Sequence, residues 1–146
     1  RHVNLYDYME DIHDSISAFA ALDFHCNIIT EENLPEIDID PQLLKQALIN
    51  LLKNAYEAMD KSGTVTIRVS SENDVVLIAV TDYGGGLDPA FADSIFEPFI
   101  TSKNGGSGLG LVITKQIVES HHGTIHCDSR SGDGCTFTLT LPLTQS

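Results

Sequence analysis

The chain is short of positive charge. Its 8 Lys and Arg stand against 21 Asp and Glu, a formal net charge of -13, and a surface of that sign repels a phosphodiester backbone or an anionic bilayer. Nucleic-acid binding and peripheral membrane binding drop down the list. Long apolar runs are also missing: stretches such as Val75 to Val80 fall well short of the ~18 residues a membrane-crossing helix needs. The 3 cysteines, Cys26, Cys127 and Cys135, are odd in number and have no CxxC spacing, so reduced thiols are the plain reading. The first residue is Arg1, with no Met and no signal-peptide pattern, which leads us to expect a piece of something longer. What remains, 146 residues of which 42% are hydrophobic, suffices for one core, so a single domain over residues 1–146 is expected.

The hydrophobic spacing predicts alternating helices and strands. Leu5, Met9, Ile12, Ile16, Phe19 and Ala20 recur at helical steps over residues 4–21. Phe24 to Thr30 is β-prone, and the acidic stretch Glu31 to Asp40 reads as a loop. Asp40-Pro41 then has the signature of a helix start, since Asp accepts orphan N–H bonds and Pro has no N–H to orphan. Leu43, Leu44, Ala47, Leu48, Leu51, Leu52, Ala55, Ala58 and Met59 form a broad apolar stripe that Ser62-Gly63 ends. The opposite face gathers Gln46, Asn50, Lys53, Asn54 and Glu57 at the same spacing, and is the first place to look for a site.

Val65, Ile67 and Val69 alternate with polar residues, as a half-buried strand requires. A turn at Glu72-Asn73-Asp74 leads into Val75 to Val80, nearly all apolar, as expected of a central strand covered on both faces. That strand ends in Asp82, a carboxylate at a buried end. Gly84 to Gly110 is a long glycine-rich loop feeding a helix over Leu109 to His121, which stops before Gly123. Thr124 to Asp128 and Cys135 to Leu141 close the chain as a hairpin about Gly132-Asp133-Gly134.

Two glycine clusters suggest nucleotide binding, but the common templates fail. No lysine follows a glycine, which excludes the GxxxxGK[ST] phosphate loop, and neither cluster satisfies GxGxxG: Gly84 and Gly86 lead to Pro89, Gly106 and Gly108 to Leu111. Four other pieces occur in order: Asn50-Leu51-Leu52-Lys53-Asn54-Ala55, Asp82-Tyr83-Gly84-Gly85-Gly86-Leu87, Phe96-Glu97-Pro98-Phe99-Ile100-Thr101-Ser102-Lys103, and Gly106-Ser107-Gly108-Leu109-Gly110-Leu111. Over about residues 40 to 142 the chain resembles the catalytic domain of sensor histidine kinases. The four pieces are similar to the N, G1, F and G2 boxes of those kinases, within the ATPase superfamily of DNA gyrase, the Hsp90 chaperones and MutL. The Asn-Ala-x-x-Ala-Met ending and the short lid ending in Thr-Ser-Lys look most like the nitrogen-regulation type.

The resemblance implies an α+β fold, a two-layer sandwich in which a mixed sheet of about five strands carries about three helices on one face. It implies a pocket for ATP with Mg²⁺. Asp82 would accept a hydrogen bond from the exocyclic amine of adenine, a donor that guanine lacks at that position, and Gly84, Gly86 and Leu87 would let the backbone approach the base. Asn54 would ligate Mg²⁺ through its amide oxygen, with Asn50, Lys53 and Glu57 on the same helix face. Gly106, Ser107, Gly108, Leu109, Gly110 and Leu111 would set N–H groups at a helix start against the phosphates. Thr101, Ser102 and Lys103 would complete a lid over Phe91 to Ser107, with Phe96 more a packing anchor and Phe99 both anchor and pocket wall. The resemblance makes Asn54, Asn50 and Lys103 the expected catalytic set.

Alternatives stand beside this reading. The asparagines by themselves would more often be solvated, and Lys103 and Lys53 could be surface charges. His121, His122 and His126 beside Cys127 lack the framing of a metal motif. His13-Asp14 begins like a phosphoacceptor motif, but the following Ser15 to Ala18 do not supply its proline, so His13 reads as an ordinary helix-face residue. The implied function is transfer of the γ-phosphoryl group of ATP to a histidine on a separate dimerization domain of the same protein, and from there to a response regulator receiver domain. An isolated monomer, a homodimeric full-length protein and a cytoplasmic site go with it. A hydrolytic ATPase of the superfamily, a non-catalytic nucleotide sensor and a serine kinase of the anti-sigma type are the competing readings.

Overall fold

The computed structural model describes residues 2–17, 24–58, 63–82, 110–130 and 134–143. Asn4 begins the first helix: its Oδ1 accepts from the N–H groups of Tyr6 at 3.0 Å and Asp7 at 3.2 Å, satisfying two orphan donors. Helix α1 runs Leu5–Ser17, and the rest of its expected length, to residue 21, lies outside the described residues. Leu5, Met9 and Ile12 face the core. Before it, β1 (His2–Val3) pairs antiparallel with β3 (Ile37–Asp38). Strand β3 corrects the expected loop: two residues are too few for a periodic signal, and the bond from Asp38 N–H to Leu143 O at 2.9 Å fixes the strand through tertiary contact.

Helix α2 spans Pro41–Ala58. Asp40 caps it as expected, its Oδ1 accepting from the N–H groups of Gln42 and Leu43, each at 3.1 Å. Leu44, Ala47, Leu48, Leu51, Leu52 and Ala55 are all buried, and burial of each leucine stabilises the fold by about 1.5–3 kcal/mol.

Five strands form one mixed sheet in the order β2-β4-β5-β7-β6, made of β2 (Phe24–Thr30), β4 (Gly63–Glu72), β5 (Val75–Asp82), β6 (Thr124–Arg130) and β7 (Gly134–Pro142). β2 runs parallel to β4, and the other neighbours are antiparallel. Asn73, at φ 54°, turns β4 into β5, a left-handed conformation that asparagine tolerates. The sheet and α1, α2 and α3 (Gly110–Ser120) share one core, to which Val65, Ile67, Ile78, Val80, Phe137 and Leu139 contribute from the strands. This is the expected α+β sandwich.

β5 corrects one reading. It is central, but its burial alternates: Val76, Ile78, Val80 and Asp82 are buried, while Val75, Leu77, Ala79 and Thr81 are half-buried. The second face has polar neighbours, with Leu77 paired to Ser70 and Thr140 and Ala79 to Arg68 and Thr138. An apolar run here marks the middle of a two-layer sheet rather than a strand covered on both sides.

Helix α3 stops before Gly123, as expected. His122 N–H bonds Glu119 O and Gly123 N–H bonds Val118 O, each at 3.0 Å, the paired bonds of a Schellman stop. The left-handed residue is His122, at φ 61°, and not the glycine. Gly123 is required for a different reason: an added Cβ would meet the Thr140 carbonyl oxygen and would lie 2.8 Å from Leu141 Cδ2.

Candidate functional site

Helix α2 packs against β4, β5 and α3, so the elements that carry the sequence-marked residues are in mutual contact. On α2, Asn50 and Asn54 are half-buried and Lys53 is exposed, which sets the two asparagines at the boundary between core and solvent. Glu57 lies in the last turn of the same helix. Asp82 ends β5 and is only 3% exposed. A carboxylate this buried needs partners for its charge, and Asp82 does have an interaction partner. Gly110 opens α3 and Leu111 follows, half-buried and packed against the core. Gly84, Gly86, Leu87, Phe99, Thr101, Ser102, Lys103, Gly106, Ser107, Gly108 and Leu109 lie outside the described residues, as does the expected lid over Phe91 to Ser107.

Several features around these residues are not legible from the sequence. Strand register puts Asp82 directly across from Cys135 on β7, and Thr81 across from Thr136, whose hydroxyl oxygens are hydrogen-bonded at 3.0 Å. Cys135 Sγ is in turn 3.1 Å from Cys127 Sγ on β6. His121 is buried, and its ring spans two elements: Nδ1–H donates to Ile117 O at 2.8 Å, while Nε2 accepts from the Asp40 N–H at 3.0 Å. That pair of bonds requires the neutral ring with its proton on Nδ1. His122 and His126 are exposed, so the three histidines serve different surroundings. The pairings of Asp82 with Cys135, Thr81 with Thr136 and His121 with Asp40 join residues more than 50 positions apart, so only the register and the tertiary packing reveal them.

Residues 39–145 match the family model described as histidine kinase-, DNA gyrase B- and HSP90-like ATPase. The chain belongs to this family. Among characterised relatives, the sensor histidine kinase ZraS of Escherichia coli strain K12 is 45% identical over 112 residues, covering 77% of this chain and 24% of that protein. ZraS of Salmonella typhi is 38% identical over 143 residues, covering 97% of this chain and 31% of that one. The chain thus spans about a quarter to a third of the length of these relatives. Among solved structures, the catalytic domain of the histidine kinase ThkA superposes with a TM-score of 0.84 at 28% identity, covering 99% of this chain and 96% of that one. Full-length ShkA in complex with AMPPNP superposes with a TM-score of 0.88 at 25% identity, covering 100% of this chain and 31% of that one.

This is an ATP-binding domain of the histidine kinase type, and its five-stranded sheet with α1, α2 and α3 is the architecture of those catalytic domains. No helix among the described residues is long and apolar enough to cross a membrane.

Proposed function

We propose that the chain binds Mg·ATP and presents its γ-phosphoryl group to a histidine imidazole on a separate dimerization domain of the same protein, from which a response regulator receiver domain is served. The observation that supports it most is Asp82: a carboxylate 3% exposed at the end of a core strand, in a family that binds ATP. Asp82 accepts from the adenine amine and cannot donate, which favours adenine over guanine. Asn54 offers an amide oxygen, a hard neutral donor suited to Mg²⁺ when the phosphates supply the charge. When bound, the ion neutralises phosphate charge. Lys53 and Lys103 would add positive charge, and the N–H groups at the start of α3, which opens at Gly110, would receive the phosphates together with Gly106 and Gly108. In this reading Gly84, Gly86 and Leu87 would line the base, and Thr101 and Ser102 would belong to the lid.

Catalysis then consists of positioning and charge neutralisation. Imidazole is already nucleophilic, so no strong base is needed. The hydrolytic branch of the family would need one, and the position one turn before Asn54 is held by Asn50, whose carboxamide cannot take up a proton near neutral pH. Loss of a general base is typically worth ~10²–10⁴ in rate. The full-length kinase is a homodimer with this domain on the cytoplasmic side, while the isolated domain is a monomer.

Labelled ATP tests the reading. The lone chain is expected to release little phosphate, and to transfer label once a histidine-bearing dimerization domain is added in trans, a transfer lost in Asn54→Ala. Steady phosphate release unaffected by Asn50→Ala would favour a hydrolytic ATPase; binding with no transfer would favour a sensing module. Calorimetry is expected to show ATP bound more tightly than GTP. Asp82→Ala should weaken ATP roughly 10- to 150-fold, the equivalent of a lost charge-assisted bond of ~1.5–3 kcal/mol.

A further inference from the structure

Cys127 lies across from Phe137, and Cys135 two residues before Phe137 lies across from Asp82 on its other side. Paired side chains of antiparallel strands share a face, as do residues two apart on one strand. Cys127, Cys135 and Asp82 therefore occupy one face of the sheet, the face whose Val80 and Phe137 enter the core. The two sulfurs are thiols 3.1 Å apart, and a disulfide of about 2.05 Å needs only a small further approach.

We propose that Cys127 and Cys135 form an oxidisable dithiol that a hydroperoxide closes into a disulfide, and that closure weakens nucleotide binding at Asp82. The second half rests on the ATP-binding role of Asp82 given above. Cys127 is the half-buried member and Cys135 is 7% exposed, so a peroxide in solution meets Cys127 first. The hydrogen bond from Cys135 lowers the pKa of the Cys127 thiol, against the opposing effects of burial and of the Asp128 and Asp82 charges, and a thiolate is the form that reacts.

The Cys127 thiolate attacks one peroxide oxygen and the O–O bond breaks. The hydroxide that leaves takes a proton to become water, and Cys127 is left as a sulfenic acid. Cys135 then attacks that sulfur, the S–O bond breaks, and the departing hydroxide takes the Cys135 proton as a second water. Two thiols have lost two protons and two electrons, and hydrogen peroxide has become two waters. Closure pulls on β7 at the residue opposite Asp82, which is how it reaches the nucleotide. Cys26 sits on β2, at the other edge of the sheet, and serves as an internal control.

Hydrogen peroxide applied to the whole chain, followed by intact mass, alkylation mapping and ATP calorimetry, tests this. The chain is expected to lose about 2 Da, the two hydrogens of disulfide formation, and to keep Cys26 as its one alkylatable thiol. ATP affinity should fall several-fold and recover with dithiothreitol. Cys127→Ser should show neither the mass loss nor the change in affinity. Oxygen addition without the 2 Da loss, a disulfide that engages Cys26 or a second chain, or equal ATP affinity in both redox states would overturn the proposal. A 2 Da loss in a chain whose reduced form does not bind ATP would refute the coupling together with the ATP reading and leave the dithiol itself supported.

Discussion

The two halves of α2 differ in what holds them and what they offer. The N-terminal end is tied down from three directions: the Asp40 side chain caps it, the Tyr8 hydroxyl donates to Pro41 O at 2.7 Å, and His121 from the end of α3 accepts from the Asp40 N–H at 3.0 Å. The later turns carry Asn50, Lys53 and Asn54, half-buried or exposed along one face, with the buried leucines on the other. One end is anchored by neutral hydrogen bonds from Tyr8 and to His121, at the ends of two other helices, and the other carries polar groups along its open face. The lesson is a division of labour along one helix: its start is held by other elements, while its later turns carry the amide groups that the proposed nucleotide site uses.

If that division is right, substitutions in the two halves should have crossed effects. The largest is expected at Asn54: Asn54→Ala should weaken Mg·ATP by at least roughly 10-fold, as loss of groups at a metal site does, while changing unfolding free energy by less than about 1 kcal/mol. Calorimetry beside urea denaturation separates the two quantities. A large loss of stability with unchanged affinity would place Asn54 among the anchors instead.

His121→Ala is expected to do the reverse. It leaves the Asp40 N–H without its acceptor and removes a buried ring, a loss of about 1–3 kcal/mol for the unsatisfied group, with nucleotide affinity of the folded protein within a factor of a few. Since His121 accepts through Nε2, His121→Gln, whose carboxamide oxygen also accepts, should recover part of the stability. If the glutamine variant is no better than the alanine variant, the bond to Asp40 is not the source of the effect.

Much of this contrast was written in the sequence, but unevenly. Asp40-Pro41 and the leucine stripe announced α2, because capping and 3.6-residue periodicity are local signals. The strands from Phe24 and Cys135 were equally readable. Asn54 and Asp82 were marked by their place in ordered motifs, and the structure gives Asp82 the burial such a role needs. What was not readable depends on long-range pairing. Nothing local shows that His121 reaches Asp40, 81 residues away, or that Cys135 lies opposite Asp82. The two-residue strands β1 and β3 are too short to show a repeat. The stop of α3 before Gly123 was legible, but not that His122 makes the left-handed turn or that the small size of Gly123 serves the close approach of β7.

A smaller effect is expected at Tyr8, which anchors α2 from α1. Burial, reinforced by the Asp11 and Asp40 charges, raises its phenol pKa well above the ordinary value, and the phenol keeps its proton for the bond to Pro41 O. Tyr8→Phe retains the ring and removes only that bond, so the loss should be about 0.5–1.5 kcal/mol, read from denaturation midpoints at constant slope. Nucleotide affinity should not change. A change in affinity as large as that of Asn54→Ala would show that the two halves of α2 are not separable.

The last effect concerns alkaline pH and uses Cys26, on β2 beside α1 at one edge of the sheet. Burial pushes its thiol from 9.0 up to about 11. The unfolded chain therefore releases this proton first, the native state holds more protons between those two values, and stability must fall as pH rises through them. The contribution is fully present below about pH 9 and lost by about pH 11. Cys127 acts with the opposite sign: its lowered thiol pKa adds stability as pH rises toward the unfolded value and is constant above it, so it does not obscure the alkaline window. Tyr8 shares the sign of Cys26, but its decline begins only at its ordinary value of 10.0. Denaturation of Cys26→Ser between pH 9 and 10 should accordingly show a shallower decline than the parent chain, with the remainder above pH 10 flattened by Tyr8→Phe. An unchanged slope in Cys26→Ser would mean that the thiol is as free to ionise in the folded protein as in the unfolded one.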